Sequence, residues 1–405
     1  MAVDSPKKDF KNPVSCAGAF GRFFYAVDSL VYYSQVMQTE DDAGRCYQQN
    51  DPTSTEFPDL LDTDGGVLEL EDTVRIKAMQ DYSAGILIFA GNGVWYIGNP
   101  DGGFKATAFN VEKVTDRGID SPHSIVSAGN EIYYFSNNAI MQLSINQFGT
   151  VDAVDITEAS IRTHYLTNLV GKDAKGVYNS ANKQCEWWLP KIEGRGLILD
   201  TTIGAFYPQK QQSPTHKLSR PFTVANALYY PSSVQTSTDV TYSFSFRKNT
   251  LFKDFGTDQD AYLVTGYETL GKFSNKKAVS QARVFFNKTE KNITGYGANS
   301  YIFDYPSSCL FQARWDFDNS AVYGKYTGVI NGVGKGKAMQ LYKPMQRGFI
   351  PDAYPYVFDT GESILSKKFN IRGNGDAVQF VFQTEPEKDM QLLGYSVGYT
   401  MRARM

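Results

Sequence analysis

The chain alternates short runs of aromatic and β-branched residues with short polar turns. An apolar run, a tight turn and a second apolar run together predict a β-hairpin. Five such hairpins are predicted, at residues 20–34, 86–97, 131–143, 186–207 and 227–246. In the second of them, Gly91-Asn92-Gly93 supplies residues that tolerate the positive φ angles of tight hairpin turns.

The spacing of these hairpins indicates a repeated architecture. From the second hairpin onward the intervals are irregular but fall around the ~40 to 50 residues of a β-propeller blade. The first interval is longer, which predicts an insertion near residues 38–75. We therefore expect an all-β fold of the β-propeller type, with multi-blade antiparallel sheets and inserted loops.

Alternation is clearest in the C-terminal part of the chain. Every second residue of 311–317 is apolar and the residues between them are polar, and a similar pattern recurs at 378–383. Each segment predicts a strand with one buried face. The turn residues 373–376 precede the second strand. We expect the strand-rich part 262–405 to complete the propeller.

Helical periodicity is scarce, so we expect at most one or two short helices. Residues 156–169 are the only stretch with the required pattern, because the apolar residues Ile161, Tyr165 and Leu169 follow one another at intervals of four residues. Thr157 is the candidate N-cap of this helix.

The remaining segments predict loops and an arm. Residues 332–337 and 351–355 are rich in Gly or Pro and predict loops. The polar residues 1–15 predict an N-terminal arm that orders only against a neighbour. We assign residues 16–405 to one propeller-type domain.

Composition and charge exclude several classes of protein. Forty Lys and Arg oppose 43 Asp and Glu, which gives a formal net charge of −3. This balance is unlike that of a protein that binds nucleic acid tightly by neutralising phosphates. The longest apolar run, 85–91, is far shorter than a membrane span, and the N-terminus lacks the apolar segment of a secretory signal.

The four cysteines show no metal-binding pattern. Cys16, Cys46, Cys185 and Cys309 are scattered, with no C-x-x-C pair among them. We expect four small buried apolar side chains in a protein of a reducing compartment.

Two loops resemble ligand-binding motifs but lack required residues. In 332–337 the Gly-Lys pair is followed by Ala338, where a phosphate-binding P-loop has Ser or Thr. Residues 59–66 resemble a calcium loop, but a loop starting at Asp62 has Gly66 where an oxygen ligand is needed. We interpret the first as a basic loop and the second as a turn carrying surface acids.

The sequence assigns no catalytic, cofactor-binding or metal-ligating residue, and no channel or gate residue. His123, His164 and His216 stand outside the hydrolase and zinc motifs. We therefore predict that the protein is not an enzyme and needs no cofactor. Hydrolysis of glycosides by an Asp/Glu pair stays open as the enzyme alternative. Aromatic side chains on a surface are a further alternative, as a stacking platform, although strand aromatics more commonly pack in the core.

Several segments resemble one family of viral structural proteins. The chain is similar to the tail nozzle or tail hub proteins of short-tailed, podovirus-type bacteriophages, which are also described as tail tubular protein B or packaged-DNA stabilisation proteins. The similar segments follow one another from about residue 16 to 396, and their order carries the resemblance. They are 21–26, 31–36, 51–66, 89–95, 265–268, 276–277, 377–382 and 389–394.

The resemblance implies a structural role in the virion. By this resemblance, each subunit is a β-propeller and six identical subunits form a homohexameric ring. The ring contacts a tail adaptor or portal-side protein and the tail fibres. The ring contacts double-stranded DNA transiently, retains the packaged genome and then lets it leave. It belongs to the tail of the virion and assembles in the host cytoplasm. A near-neutral or acidic lumen suits this task, since a basic wall would hold the duplex. The alternative function is a carbohydrate-binding or glycan-cleaving propeller that serves as a receptor-binding tail component.

Overall fold

The structure is a computed structural model in which the chain forms two compact units, Met1–Arg247 and Lys248–Met405. We call them unit 1 and unit 2 and describe each by itself. The described residues are 12–49, 60–83, 85–98, 103–171, 173–189, 195–210, 216–225, 227–235, 239–246, 253–254, 257–258, 261–271, 275–287, 293–297, 300–303, 308–317, 337–340, 364–371, 373–384 and 389–402.

The described residues of unit 1 form five antiparallel sheets, each built from four strands consecutive in the chain. We call these sheets blades 1 to 5. Blade 1 contains β1 Ser15–Ala19, β2 Arg22–Val27, β3 Leu30–Tyr33 and β4 Gly66–Glu69. Blade 2 contains β5 Ile76–Tyr82, β6 Gly85–Ala90, β7 Gly93–Gly98 and β8 Asn110–Thr115. Blade 3 contains β9 Val126–Ala128, β10 Glu131–Phe135, β11 Ile140–Ile145 and β12 Val151–Asp155.

Blade 4 contains β13 Lys175–Asn179, β14 Gln184–Leu189, β15 Arg195–Asp200 and β16 Ala205–Lys210. Blade 5 contains β17 His216–Leu218, β18 Phe222–Val224, β19 Ala227–Gln235 and β20 Val240–Phe246. In blade 5, β17 and β18 pair with the same edge of β19, while β20 pairs with the other edge. Repeated four-stranded sheets of this kind are the blades of a β-propeller. The expected fold class is therefore confirmed.

Apolar side chains fill the space between successive blades. Because side chains alternate across a strand, the central strands can bury one set of residues on each face. In β6, Ile88 packs between blades 1 and 2, whereas Phe89 packs between blades 2 and 3. In β14, Trp187 packs against blade 3, and Trp188 packs against Tyr230 of blade 5. Each blade is thus stabilised by its neighbours.

The predicted insertion lies within blade 1. Residues 34–65 separate β3 from β4 in the sequence, and their described part contains a short 3-10 helix at Glu40–Gly44. The prediction of 38–75 was too long at its C-terminal end, because Gly66–Glu69 is the fourth strand of the blade.

The helix predicted at 156–169 is shorter than its pattern suggested. It comprises α1 Arg162–His164 and a π-helical turn at Tyr165–Leu169. The expected N-cap role of Thr157 is wrong, because α1 begins at Arg162 and Ile161 occupies its N-cap position. A second 3-10 helix covers Pro122–Ser124.

Unit 2 contains two larger sheets that share one core. The first has the order β23 Tyr262–Val264, β31 Val378–Gln383, β27 Ser308–Trp315 and β28 Lys337–Gln340. In the second, β24 Lys276–Asn287 pairs with β29 Ile364–Asn370, β30 Asn374–Gly375 and β32 Leu392–Arg402. The two short pairs are β21 Lys253–Asp254 with β22 Thr257–Asp258, and β25 Ile293–Gly297 with β26 Ser300–Phe303. Phe286 and Phe369 of the second sheet pack in one cluster with Phe311 and Phe380 of the first.

The strand order of unit 2 differs from that of the blades. Its neighbours are distant in sequence, as β23 and β31 are, whereas blade strands are consecutive. The alternation that predicts a strand with one buried face is the same for a blade and for two stacked sheets, so the sequence pattern does not distinguish them. The participation of residues 262–405 in a completed propeller stays a prediction.

Three smaller expectations need correction. Cys16 is exposed rather than buried, since it lies on the face of blade 1 opposite Phe24, and Cys46 is only half-buried. Phe317 follows the end of β27 and is 57% exposed. The turn predicted at 373–376 contains β30. Residues 1–11, residues 332–336 of the predicted loop 332–337, and the predicted loop 351–355 lie outside the described residues, while Lys337 begins β28.

Candidate functional site

The first strands of blades 1 and 2 border a cavity in unit 1. Its volume is about 550 Å³, and it is lined by parts of blades 1, 2 and 5 and by the segment that leads into blade 3. We call it the inner cavity. Its lining residues are Val14, Ser15, 75–80, Pro122, His123, Ile125 and Arg220.

Side-chain hydrogen bonds at two places fix the walls of the inner cavity. The backbone N–H of Met79 donates to Ser15 Oγ at 3.0 Å, which ties the first strand of blade 2 to that of blade 1. The segment before blade 3 is held by Ser124, whose Oγ donates to the carbonyl of Ser121 at 2.7 Å and accepts from Phe135 N–H at 3.0 Å. This second contact fixes the 3-10 turn that carries His123.

Lys77 occupies an irregular position in the wall. In the pairing of β5 with β6, Ile76 lies opposite Ala90 and Ala78 lies opposite Phe89, so Lys77 is the additional residue of a β-bulge. Its ammonium donates to the carbonyl oxygens of Ile119 at 2.8 Å and of Asp120 at 3.3 Å.

The inner cavity is positively charged. Arg75, Lys77 and Arg220 carry formal positive charges, and His123 adds an imidazole. None of its lining residues is acidic. The side chains of Arg75, His123 and Arg220 are exposed, so their polar atoms are accessible. Such a lining attracts anions.

The acidic turn predicted at 59–66 is tied to blade 1 and to residues 105–107. Within its described part, Asp64 accepts from the backbone N–H groups of Gln49 and Leu61 at 3.0 and 2.9 Å. Asp62 accepts from the hydroxyl of Thr107 and pairs with Lys105 at 3.4 Å. The Thr107 hydrogen bond is the main cause that lowers the pKa of Asp62. Both carboxylates thus have protein partners.

Of the three histidines, one lines the inner cavity. His164 lies in α1, where its Nδ1 is 3.3 Å from the amide of Asn168, and His216 begins β17. Within the described part of the chain, no group of three His, Cys, Asp or Glu residues is arranged to hold a metal ion. Nor does any helix in those same residues have the length and apolar character of a membrane span.

Sequence reasoning missed the cations of the inner cavity. Arg75 directly precedes β5 and Lys77 lies in it, while Arg220 lies far along the chain, between the short strands β17 and β18. Only the stacking of the blades brings them together. The pattern Arg75-Ile76-Lys77 was the single local signal.

Comparison with known proteins assigns no family to the chain. No protein-family profile matches the sequence, and no curated protein is significantly similar to it. Solved structures with partial similarity include PorZ, a surface component of the type-IX secretion system of Porphyromonas gingivalis, with 9% identity and a TM-score of 0.35. That similarity covers 62% of this chain and 29% of PorZ, so this chain spans less than a third of that protein.

Two further structures show a similar degree of likeness. A streptogramin B lyase has 12% identity and a TM-score of 0.33, over 60% of this chain and 70% of the lyase. A 6-phosphogluconolactonase-like protein of Bacteroides uniformis has 11% identity and a TM-score of 0.32, over 59% of this chain and 72% of its own. Likeness at this level transfers no activity to this chain.

Proposed function

We propose that this chain is a structural protein of a short phage tail, where it forms the nozzle or hub around the path of the genome. The observation that carries the proposal is the ordered series of segments that resemble such proteins. Several fall on defined elements. Residues 21–26 and 31–36 include most of the β2–β3 hairpin of blade 1, 89–95 include the β6–β7 turn of blade 2, and 377–382 include most of β31 in unit 2.

The construction of unit 1 supports a mechanical role. Each pair of successive blades shares a core of large apolar side chains, including Phe24, Phe89, Tyr134 and Trp187, which are less than 2% exposed. Closely packed interiors of this kind have low compressibility and transmit strain. In the proposed role, the wall resists the pressure of the packaged DNA, and that pressure supplies the energy of ejection. No bond chemistry is required of the protein.

The proposed assembly is a homohexameric ring. Its neighbours are a tail adaptor or portal-side protein and the tail fibres, and DNA contacts the ring as it passes. A chain with a formal net charge of −3 agrees with transient contact, because a strongly basic protein would bind the duplex through release of counterions. The proposed location is the tail of the virion, after assembly in the host cytoplasm.

The oligomeric state of the purified chain tests this proposal. Light scattering and negative-stain electron microscopy are expected to show monomers and rings of six 45.2 kDa subunits with sixfold symmetry. A closed dimer as the sole species would contradict it. A glycan array and a reducing-sugar assay provide the control for the carbohydrate alternative. A nozzle gives no signal in either.

A further inference from the structure

The inner cavity concentrates positive charge in a protein whose overall charge is slightly negative. Three formal cations, Arg75, Lys77 and Arg220, face the same space with no acid among its lining residues. Like charges around one space repel, and they gain a compensating partner when an anion binds between them. The proposed tail role does not use this feature.

Lys77 lies at a position that regular pairing of β5 with β6 does not contain. As the additional residue of a bulge in β5, it interrupts the ladder with β6. Bulges re-aim side chains and are frequent beside binding sites. Here the ammonium group is held by the carbonyls of Ile119 and Asp120, on the segment that leads to blade 3. An ammonium has three N–H donors, and the two carbonyls occupy two of them.

The two arginines supply a different kind of donor. A guanidinium presents a planar fork that binds phosphate oxygens in pairs, whereas an ammonium acts as a point charge. Arg75 belongs to the entry of β5 in blade 2, and Arg220 lies between β17 and β18 of blade 5. A ligand between them would be held from two blades, with His123 as a further hydrogen-bonding group.

We infer that the inner cavity is a binding site for a small, multiply charged anion that carries phosphate groups. Its volume of about 550 Å³ lies within the roughly 300 to 1,000 Å³ of ordinary ligand pockets. That volume suits a di- or triphosphate and is too small for a DNA duplex. The three cations of the lining match the charge of such a group. The inference stands on unit 1 and does not depend on the tail role.

Calorimetric titration with sodium tripolyphosphate at low ionic strength tests the inference. The double variant Arg75→Gln/Arg220→Gln is expected to weaken binding about tenfold or more, since each charge-assisted hydrogen bond contributes strongly. Both side chains are exposed, so the fold is expected to persist, and circular dichroism checks this. The matched control is Lys183→Gln/Arg195→Gln, which removes two exposed cations outside the cavity and is expected to leave the affinity unchanged.

Three results of the tripolyphosphate titration would overturn the inference. They are the absence of tripolyphosphate binding to the unmodified protein, equal affinity of the Arg75/Arg220 variant, and equal loss in both double variants. A short DNA duplex provides the second arm of the experiment. If the Arg75/Arg220 change weakens duplex binding as much as tripolyphosphate binding, the cations belong to an open DNA-facing surface instead. Ring formation by the same variants, measured in parallel, reports separately on the tail role.

Discussion

Arg22 holds the inserted loop of blade 1 against its sheet. Its side chain is 2% exposed, and its guanidinium donates to the carbonyl oxygens of Ser34, Asp64 and Asp62. The guanidinium also lies 5.8 Å from the ring centre of Tyr33 and so gains a cation–π contact. Burial is the main cause that lowers the pKa of Arg22. Reaching three carbonyl oxygens at once requires the planar, branched guanidinium group.

Replacement of Arg22 by Lys is expected to destabilise the protein. The ammonium of Lys cannot span the same acceptors, and buried carbonyls left without a donor cost free energy. We expect a loss of about 3 kcal/mol in the free energy of unfolding, measured by urea denaturation. Arg195→Lys, at an exposed position of blade 4, is the control, with an expected change within about 0.5 kcal/mol. Equal stability of the two variants would show that the carbonyl contacts do not hold the loop.

At the residue scale, sequence reasoning failed where burial depends on distant parts of the chain. The sequence predicts burial for both Cys16 and Cys185, yet Cys16 is exposed and Cys185 is buried between blades 3 and 4. Arg22 follows a tight turn and looks like an ordinary surface cation. Its burial results from the loop that returns 40 residues later, and no local pattern predicts that contact.

At the scale of elements, all five predicted hairpins are confirmed as strands. In blades 1 to 3 they are the two central strands, in blade 4 they extend from β14 to the outer strand β16, and in blade 5 they are β19 and the edge strand β20. Aromatic runs identify these strands, and turn residues identify where they end. The other flanking strands were missed. β9 Val126–Ala128 has three residues, and β1 Ser15–Ala19 consists largely of small residues, so neither shows a clear alternation.

The interface between blades 4 and 5 contains a buried carboxylate. Glu186 is fully buried, and its Oε2 accepts from the hydroxyl of Tyr230 at 2.5 Å, while Asn179 donates to its Oε1 at 3.2 Å. The ring of Tyr230 also packs edge-on against Trp188, with centroids 5.7 Å apart. A hydrogen bond to a buried charge is worth more than one between neutral groups.

Tyr230→Phe is expected to weaken the junction of blades 4 and 5. The variant keeps the ring contact with Trp188 and removes a donor from Glu186, so we expect a loss of about 2 kcal/mol. Chemical denaturation, monitored by tryptophan fluorescence, measures this loss in the free energy of unfolding. Tyr242→Phe in β20, where the side chain is 79% exposed, is the control and should change stability little. A loss in Tyr230→Phe no larger than in the control would rule out a stabilising role for the hydroxyl.

At the scale of the whole molecule, the fold is expected to lose stability as the pH becomes alkaline. Burial raises the pKa of Tyr134 and of Tyr165 above 10.0, and it raises the pKa of the Cys46 thiol to about 11. For such groups the unfolded chain loses its protons first. Their contribution is therefore fully present below about pH 9 and is lost as pH rises toward the folded-state pKa.

We expect the free energy of unfolding to fall above pH 10 by up to about 1.4 kcal/mol per pH unit for each such tyrosine. Urea denaturation from pH 7 to pH 11 measures this slope. Tyr165→Phe removes one of the groups and is expected to reduce the slope, whatever its effect at pH 7. An unfolding free energy that stays constant across this range would contradict the assignment of these hydroxyls to the core.

The tail role is tested most directly by an electron-microscopy reconstruction of the tailed particles whose genome encodes this chain. The account predicts six copies in a ring at the distal end of the tail, with their blades stacked around the path of the DNA. Particles whose tails lack the chain, or that carry it away from the DNA path, would contradict the account.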